Sequence, residues 1–207
     1  SLAALSAVQP EGNGGTTSFA FVATLTGDSS VSHSVSYGVT GSGAVPASAA
    51  DFAGGVLPAG VLTFAAGETS KTITVKANGD MVVEPDEGFV VTLANLSAGL
   101  SLATASAGGA ILNDDLKLHD DAYVILQSHS LSTAAAMGVL ANDESTPPVT
   151  VALQAGAANG QLQVSADGGF AYVPNAGFHG IDAFSYHASG ANGGAGDGQA
   201  VIYVVPV

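Results

Sequence analysis

Two short stretches of the chain are unusually rich in carboxylates. They are residues 78–87 and residues 113–121, and each contains four acidic side chains. Together they hold eight of the 17 acidic residues, whereas Lys and Arg together number only three. At about 5 Å and an effective dielectric of about 20, each like-charged pair costs on the order of 3 kcal/mol. The carboxylates therefore either spread into water, as a solvated acidic rim, or surround a metal ion.

Alternating apolar residues predict seven short strands in the first 115 residues, and no helix of useful length. The predicted strands span residues 2–9, 17–26, 31–39, 60–65, 70–77, 88–94 and 102–112. Short alternating strands between turns rich in Gly, Asn and Asp are typical of an antiparallel β-sandwich. The stretch 78–87 then connects the fifth and sixth strands, and the second acidic stretch follows the seventh.

Strand parity predicts that the acidic loops meet. If each strand reverses the direction of the one before, every second connection lies at the same end of the sandwich. That end receives Glu11, Asp51, the loop 78–87 and the pair Asp114–Asp115, whereas the connections at the opposite end contain only two acidic residues. Random placement on a solvated surface would seldom separate the acids in this way.

The remainder of the chain predicts a second β-domain of six or seven short strands. Its last two strands are expected to be separated by a glycine-rich turn over residues 189–198. We therefore predict a first domain over residues 1–115, a short linker over residues 116–121 and a second domain over residues 122–207.

The composition excludes several classes of partner. A net charge of −14 argues against binding to nucleic acid or to an anionic membrane surface, and it suits divalent cations. The chain has no Cys, which excludes disulfides and thiolate metal sites. No apolar run is long enough to predict membrane insertion. The first residue is Ser and no signal peptide is visible, so we expect a mature piece or a fragment.

The chemistry of the acidic loops favours Ca²⁺. Ca²⁺ takes six to eight hard oxygen ligands from carboxylates, Asn side chains and backbone carbonyls, which are what these loops contain. Zn²⁺ is disfavoured because the five His residues are scattered. A pair of carboxylates could also serve a glycosidase, but the chain has no Trp for a sugar platform. No nucleophile–His–acid pattern is visible, and we expect no enzyme.

The first half resembles a Calx-beta domain. The resemblance lies in residues 11–27 (EGNGGTTSFAFVATLTG), Asp51-Phe52, residues 60–80 (GVLTFAAGETSKTITVKANGD), residues 84–93 (EPDEGFVVTL) and residues 110–115 (AILNDD). It implies a seven-stranded immunoglobulin-like sandwich that binds Ca²⁺ at one end.

The same resemblance implies a set of metal ligands. Carried over by position, they are Glu11, Asp51, Asp80, Glu84, Glu87, Asp114 and Asp115. Asn113 and Gly79 stand at places where strongly binding members carry carboxylates. We therefore expect fewer ions or weaker binding than in those members.

The second half resembles the bacterial cadherin-like or immunoglobulin-like repeats of large secreted adhesins. The motifs are residues 120–123 (DDAY), 138–144 (GVLANDE), 158–189 and 201–205 (VIYVV). Gly190 stands where that family often has an Asp ligand. The two resemblances together predict an all-β chain of two tandem immunoglobulin-like antiparallel β-sandwiches.

Further candidate ligands lie around the second domain. Asp120 and Asp121 are predicted metal ligands, because the linker could place them beside the acidic end of the first domain. Asn142, Asp143 and Asp182 are left open, since turn capping or a strand start explains them nearly as well.

These observations predict a secreted or cell-surface module of a larger bacterial adhesin. Ca²⁺ would order its loops and stiffen the joint between the two domains. The alternatives are a Ca²⁺-dependent module that binds a glycan or a host or cell-surface protein, and an accessory domain of a secreted hydrolase. A regulatory Ca²⁺ sensor is disfavoured, because an adhesin-like second domain has no place in it.

Overall fold

The computed structural model describes residues 1–145 and 148–207. They form two compact units, Ser1–Asn113 and Asp114–Val207. One single-turn 3₁₀ helix, Ala135–Met137, interrupts strands and turns in this part of the chain. The predicted fold class, tandem immunoglobulin-like β-sandwiches, is confirmed.

The first unit is a sandwich of eight strands in two sheets. One sheet has the order β1-β3-β6 and the other the order β2-β8-β7-β4-β5. The strands are β1 Leu2–Ser6, β2 Val8–Pro10, β3 Thr16–Thr24, β4 His33–Ser42, β5 Ala59–Phe64, β6 Ser70–Asn78, β7 Glu87–Ala94 and β8 Ser106–Leu112.

The first predicted strand is in fact two strands that belong to different sheets. Strand β1 pairs antiparallel with β3, whereas β2 pairs parallel with the end of β8. The pairing of β1 is already irregular between Ala4 and Ser6, and the buried Ala7 lies between the two strands. One chain segment therefore covers an edge of each sheet. The segment ends at Glu11, beside the end of β8.

Alternation along the strands builds the core of the first unit. Phe19, Phe21 and Ala23 of β3 are buried on one face, as their spacing predicts. Phe89 lies at the centre, with the rings of Phe19, Phe21 and Phe52 meeting it nearly edge-on at centroid distances of 5.5, 5.9 and 5.6 Å. Phe52 lies outside the strands, so its burial fixes the position of the long loop that contains Asp51.

The second unit is a sandwich of a four-stranded and a three-stranded sheet. Their orders are β10-β17-β16-β13 and β11-β15-β14, and β9 pairs separately with β12. The strands are β9 Leu116–Lys117, β10 Asp121–Leu126, β11 Leu131–Thr133, β12 Glu144–Ser145, β13 Val149–Ala155, β14 Gly160–Val164, β15 Phe170–Pro174, β16 Gly180–Gly190 and β17 Ala195–Val205. Strand β10 runs parallel to β17, and the other pairings in these sheets are antiparallel.

Two predicted connections are more ordered than expected. The expected turn over residues 189–198 is mostly strand, because β16 and β17 continue to the pair Ser189 and Ala195. Glycine is needed in β17, since a Cβ on Gly198 would overlap the ring of Tyr186. The predicted linker, residues 116–121, contains β9 and the first residue of β10.

Candidate metal centre

Strand registers bring the acidic loops of the first unit to one end. The paired positions at that end are Thr16 with Asn78, Ser42 with Gly88, and Pro10 with Leu112. The loops that follow or precede these residues therefore emerge together. They carry Glu11, Asp51, Asp80, Glu84 and Asp86, and Glu87 follows as the first residue of β7.

Three of the predicted ligands, Glu87, Asp51 and Glu84, form an electrostatic cluster. Burial, followed by the contact with the Asp51 carboxylate and by the negative charges of Asp51 and Glu84, raises the pKa of Glu87 from 4.5 to about 7. Two carboxylates that touch in this way must share a proton or a cation. The cluster is therefore chemically suited to a bound cation.

The loop carrying Asp51 is fastened to the end of β6. The Asp51 carboxylate accepts the backbone N–H of Ser48 at 2.5 Å, and the Asp51 carbonyl accepts the backbone N–H of Asn78 at 2.8 Å. The Asn78 amide donates in turn to the carbonyls of Ala50 and Phe52 at 2.8 and 3.0 Å. These bonds hold the Asp51 side chain at the acidic end before any ion is present.

Asn113 joins the loop before β7 to the end of β8. Its side-chain oxygen accepts the backbone N–H of Glu84 at 2.9 Å, and its own N–H donates to the Asp86 carboxylate at 2.9 Å. Asn113 is 2% exposed. Asn113, which stands where strongly binding members carry a carboxylate, therefore has a structural role. Asp86 supports that role by accepting the Asn113 backbone N–H.

Glu11 is buried at the same end, where its backbone is well held. Its N–H donates to the Leu112 carbonyl at 3.1 Å, and its own carbonyl accepts the Thr17 hydroxyl at 2.6 Å. A Cβ on Gly79 would clash with the carbonyl of Gly12. The close packing at Gly79 therefore leaves no room for the carboxylate that strongly binding members carry at this position.

Asp80 lies at the edge of the cluster. Its side chain is exposed and caps its own loop by accepting the N–H of Val82 at 2.7 Å. Asp114 and Asp115 are buried and fall in the second compact unit, where Gly194 packs against the Asp114 carbonyl. Their role as ligands of the first unit stays a prediction.

The other predicted ligands of the second unit have unequal surroundings. Asp120 is exposed, and its carbonyl accepts the Asn142 side-chain amide at 3.2 Å. Asp121, the first residue of β10, is 7% exposed. Asp143 accepts the backbone N–H of His119 at 2.7 Å.

Asp182 serves a structural role. Its carboxylate accepts the N–H groups of Ala158, Asn159 and Ala183 at 2.9, 2.8 and 3.0 Å and the Tyr172 hydroxyl at 2.8 Å. Burial acts to raise the pKa of Asp182, but the four hydrogen bonds outweigh it and lower the pKa. A carboxylate with four donors needs no metal.

The donor set of the first unit fits Ca²⁺, although the side chains do not yet form a closed cage. Within residues 1–145 and 148–207, no three His, Asp or Glu side chains stand in an arrangement that could hold an ion. Backbone carbonyls, the amide oxygens of Asn and water would have to complete the shell, as is common for Ca²⁺. Small loop movements around Asp51 and Glu87 would therefore accompany binding.

A cavity lined by both apolar and polar residues lies at the opposite end of the first unit. It has a volume of about 220 Å³ and is lined by residues such as Leu25, Val35, Leu93 and Leu102. It contains no acidic side chain, so it is separate from the carboxylate chemistry.

In the part of the chain that the structure describes, no helix is long and apolar enough to cross a membrane.

Comparison with known proteins supports both parts of this description. Residues 13–115 match the family model of the Calx-beta domain, and residues 113–203 match that of the bacterial Ig domain. Both models describe β-modules, and no catalytic family is indicated. The predicted order of the two domains is confirmed. No curated protein matches the chain.

Several solved structures are similar to the chain. The apo form of the CBD1 domain of Calx is 26% identical, with 55% of this chain and 98% of that chain covered and a TM-score of 0.44. The calcium binding domain CBD12 of CALX1.1 is 18% identical, with 91% and 80% covered and a TM-score of 0.45. The I67–I69 I-band fragment of titin is 11% identical, with 99% and 64% covered and a TM-score of 0.48. The chain carries a Calx-beta domain followed by a bacterial Ig domain.

Proposed function

We propose that the chain is a Ca²⁺-binding module whose first unit holds the ion at its acidic end. The proposed ligands there are Glu11, Asp51, Asp80, Glu84 and Glu87, together with the predicted Asp114 and Asp115. The observation that carries the proposal is the contact between the carboxylates of Glu87 and Asp51, with the charge of Glu84 beside them.

The positions of the lysines strengthen this reasoning. Lys71 pairs with Glu68 at 2.9 Å, at the end of β6 away from Asn78, and Lys117 pairs with Glu144 at 2.6 Å in the second unit. Lys76 is exposed and lies two residues before the end of β6, but among the described residues it is not one of the charges that shift the pKa of Glu87. The repulsion around Glu87 therefore calls for a cation from solution. Bound Ca²⁺ would neutralise the carboxylates and fix the loops that carry them.

The pair of domains supports a proposal for the role of the whole protein. We propose a structural module of a larger bacterial adhesin or surface protein, outside the cell and without catalytic activity. The Calx-beta match supports the calcium role, and the bacterial Ig match is compatible with the surface role. Recognition of a glycan or a host protein through Ca²⁺, or a place beside a secreted hydrolase, is the alternative.

Calorimetric titration of the chelator-treated protein with Ca²⁺ tests the metal site. We expect heat of binding from the wild type and a loss of at least one binding event in Asp51→Asn. Asp28→Asn is the matched control, because Asp28 is exposed and lies in the loop between β3 and β4, at the opposite end. Equal binding by the wild type and by Asp51→Asn would reduce the acidic end to a solvated rim.

Stiffening of the joint stays a separate prediction, based on the short segment between the two domains. Small-angle scattering of the full chain in Ca²⁺ and in chelator measures it. A more extended and less variable particle in Ca²⁺ is expected, and unchanged scattering would remove the stiffening role while leaving the binding site intact.

A further inference from the structure

The second unit contains a buried carboxylate, that of Asp143, one oxygen of which has no hydrogen-bond partner among the described residues. The Asp143 side chain is only 2% exposed, and its Oδ1 accepts the His119 N–H at 2.7 Å. Among the described residues, no hydrogen-bond partner reaches its buried Oδ2. An unsatisfied buried carboxylate oxygen is costly, so natural structures seldom keep one without an ion or a water.

A second buried carboxylate, that of Asp121, lies nearby. Its Oδ2 lies 3.3 Å from the Tyr186 hydroxyl, which lies 2.9 Å from the Val139 carbonyl. A tyrosine hydroxyl has one proton to donate, and the shorter distance gives that proton mainly to the carbonyl. The bond to Asp121 is therefore weak.

The electrostatics show that the two carboxylates share one neighbourhood. Burial raises the pKa of Asp121 to about 7, the Tyr186 hydroxyl partly opposes the shift, and the negative charges of Asp143 and Asp120 add to it. Burial and the same two carboxylates, Asp121 and Asp143, also raise the pKa of Tyr123 to about 12. The charge of Asp143 thus acts on Asp121, and both carboxylates act on the same aromatic neighbour, Tyr123.

The local backbone holds both acids in place before any ion binds. Asp121 starts β10, and the turn before Asp143 is closed by the N–H of Ala141 donating to Gly138 at 3.0 Å. Two hydrogen bonds, from His119 to Asp143 and from Asn142 to Asp120, join this turn to the segment before β10. The β9–β12 ladder continues the connection on the outer side.

The available ligands are almost all hard oxygens. They are the carboxylates of Asp121 and Asp143, the side-chain oxygen of Asn142, whose nitrogen is already engaged, and backbone carbonyls such as that of Val139. The ring of His119 is the nearest alternative counter-charge, but its Nδ1 lies 4.0 Å from Oδ1 of Asp143, the oxygen that is already satisfied. Oxygen ligands without thiolates or grouped imidazoles favour Ca²⁺ over Zn²⁺.

We propose that Asp121 and Asp143, completed by Asn142, backbone carbonyl oxygen and water, form a calcium site inside the second unit, separate from that of the first. Asp120 contributes charge and a hydrogen-bonded carbonyl to this site rather than a carboxylate ligand. Because only two buried carboxylates are present, the affinity should fall on the order of 10⁻⁴–10⁻³ M, the range of extracellular calcium modules.

Tyrosine-sensitised terbium luminescence tests this site selectively. Tb³⁺ takes oxygen ligands as Ca²⁺ does, and it emits when a nearby excited tyrosine transfers energy to it. The Tyr186 hydroxyl lies 3.3 Å from Asp121. The tyrosine of the first unit, Tyr37, lies five residues, or about 17 Å along β4, from Ser42, where that strand reaches the acidic end. The chain has no Trp, so emission reports mainly on the second unit.

The full chain is titrated with Tb³⁺ and then with Ca²⁺ as competitor. We expect sensitised emission from the wild type, displaced by Ca²⁺, and at least about tenfold weaker binding in Asp143→Asn and in Asp121→Asn. Asp167→Asn is the matched control, because Asp167 caps its own hairpin turn by accepting the N–H of Gly169. Circular dichroism checks that each variant is folded.

The outcomes separate the two metal sites. Emission that persists unchanged in folded Asp143→Asn and Asp121→Asn overturns the proposal, as does a wild type without sensitised emission. Asp51→Asn should keep the terbium signal of the second unit while losing calcium heat in the first. Loss of the terbium signal in Asp51→Asn, with retention in Asp143→Asn, would assign the emission to the first unit and also refute the second site.

Discussion

The substitution Glu87→Gln should stabilise the protein without calcium and destabilise it with calcium. In the folded state burial, the contact with Asp51 and the charge of Glu84 raise the pKa of Glu87 from 4.5 to about 7. A carboxyl whose pKa is raised by folding is favoured in its protonated form. Its charge therefore opposes folding increasingly as the pH rises from 4.5 to about 7, and Gln removes that charge.

The shift corresponds to about 3 kcal/mol at neutral pH, since each pKa unit is worth about 1.4 kcal/mol. Glu87 is partly exposed, and solvent screening reduces the effect to about 1–2 kcal/mol. In chelator, Glu87→Gln should thus raise the melting temperature of the first unit by roughly 4–8 °C. In Ca²⁺ at 100 times its Kd, the wild type gains about 2.7 kcal/mol that a variant with a weakened site does not.

Differential scanning calorimetry of both proteins, in Ca²⁺ and in chelator, measures this reversal. Glu68→Gln is the control, because Glu68 is bonded to Lys71 away from the acidic end and should lose a little stability in both conditions. A change of the same sign for Glu87→Gln in both conditions would refute the idea that Glu87 belongs to a calcium site. If the two proteins melt at the same temperature in both conditions, the proposed repulsion between Glu87 and its neighbouring carboxylates is refuted.

Three further predictions concern the scaffold. Asp182→Asn should cost about 2–4 kcal/mol in urea unfolding, because it weakens four hydrogen bonds, one of them buried and three partly buried. The pKa of Asp182 is lowered by folding, so its contribution is present above pH 3.8 and is lost as the pH falls through the lower folded value. Gly198→Ala should lower the melting temperature of the second unit, since its Cβ would displace the Tyr186 ring, and it should also dim the terbium emission. Phe89→Ala should cost about 3–5 kcal/mol by calorimetry, because three phenylalanine rings lose their central contact.

The strands of the first unit were predictable because apolar alternation and turn residues coincide there. Phe19, Phe21 and Ala23 alternate through a strand that the structure places one or two residues away from its predicted ends. The switch between β1 and β2 was not predictable, since it depends on which sheet offers a free edge to Pro10 and its neighbours. The short turn between β16 and β17 was not predicted, because the glycines before the last strand indicate a longer turn in the sequence. Gly198 instead lies in β17 and makes room for the ring of Tyr186 on the adjacent strand.

The gathering of the acidic loops was also predictable, since it needs only alternating strand directions. The roles of the individual side chains within that end were not. Asn113 and Asp86 form a structural bracket, and Gly79 has no space for a side chain, although all three lie among the acidic loops of the sequence. Whether a carboxylate faces a backbone N–H or another carboxylate depends on loop geometry that no sequence period encodes.

Asp182 and Asp143 show how hydrogen-bond satisfaction separates structural from metal-binding acids. Both are buried acids of the second unit, and sequence patterns left both undecided. Asp182 has four donors, so adding a cation there would first require breaking bonds that already stabilise its charge. Asp143 has one backbone donor on Oδ1 and another carboxylate, that of Asp121, acting on the same surroundings. A cation gains its full attraction at Asp143 without displacing a partner of Oδ2, and for that reason the calcium site of the second unit belongs there and not at Asp182.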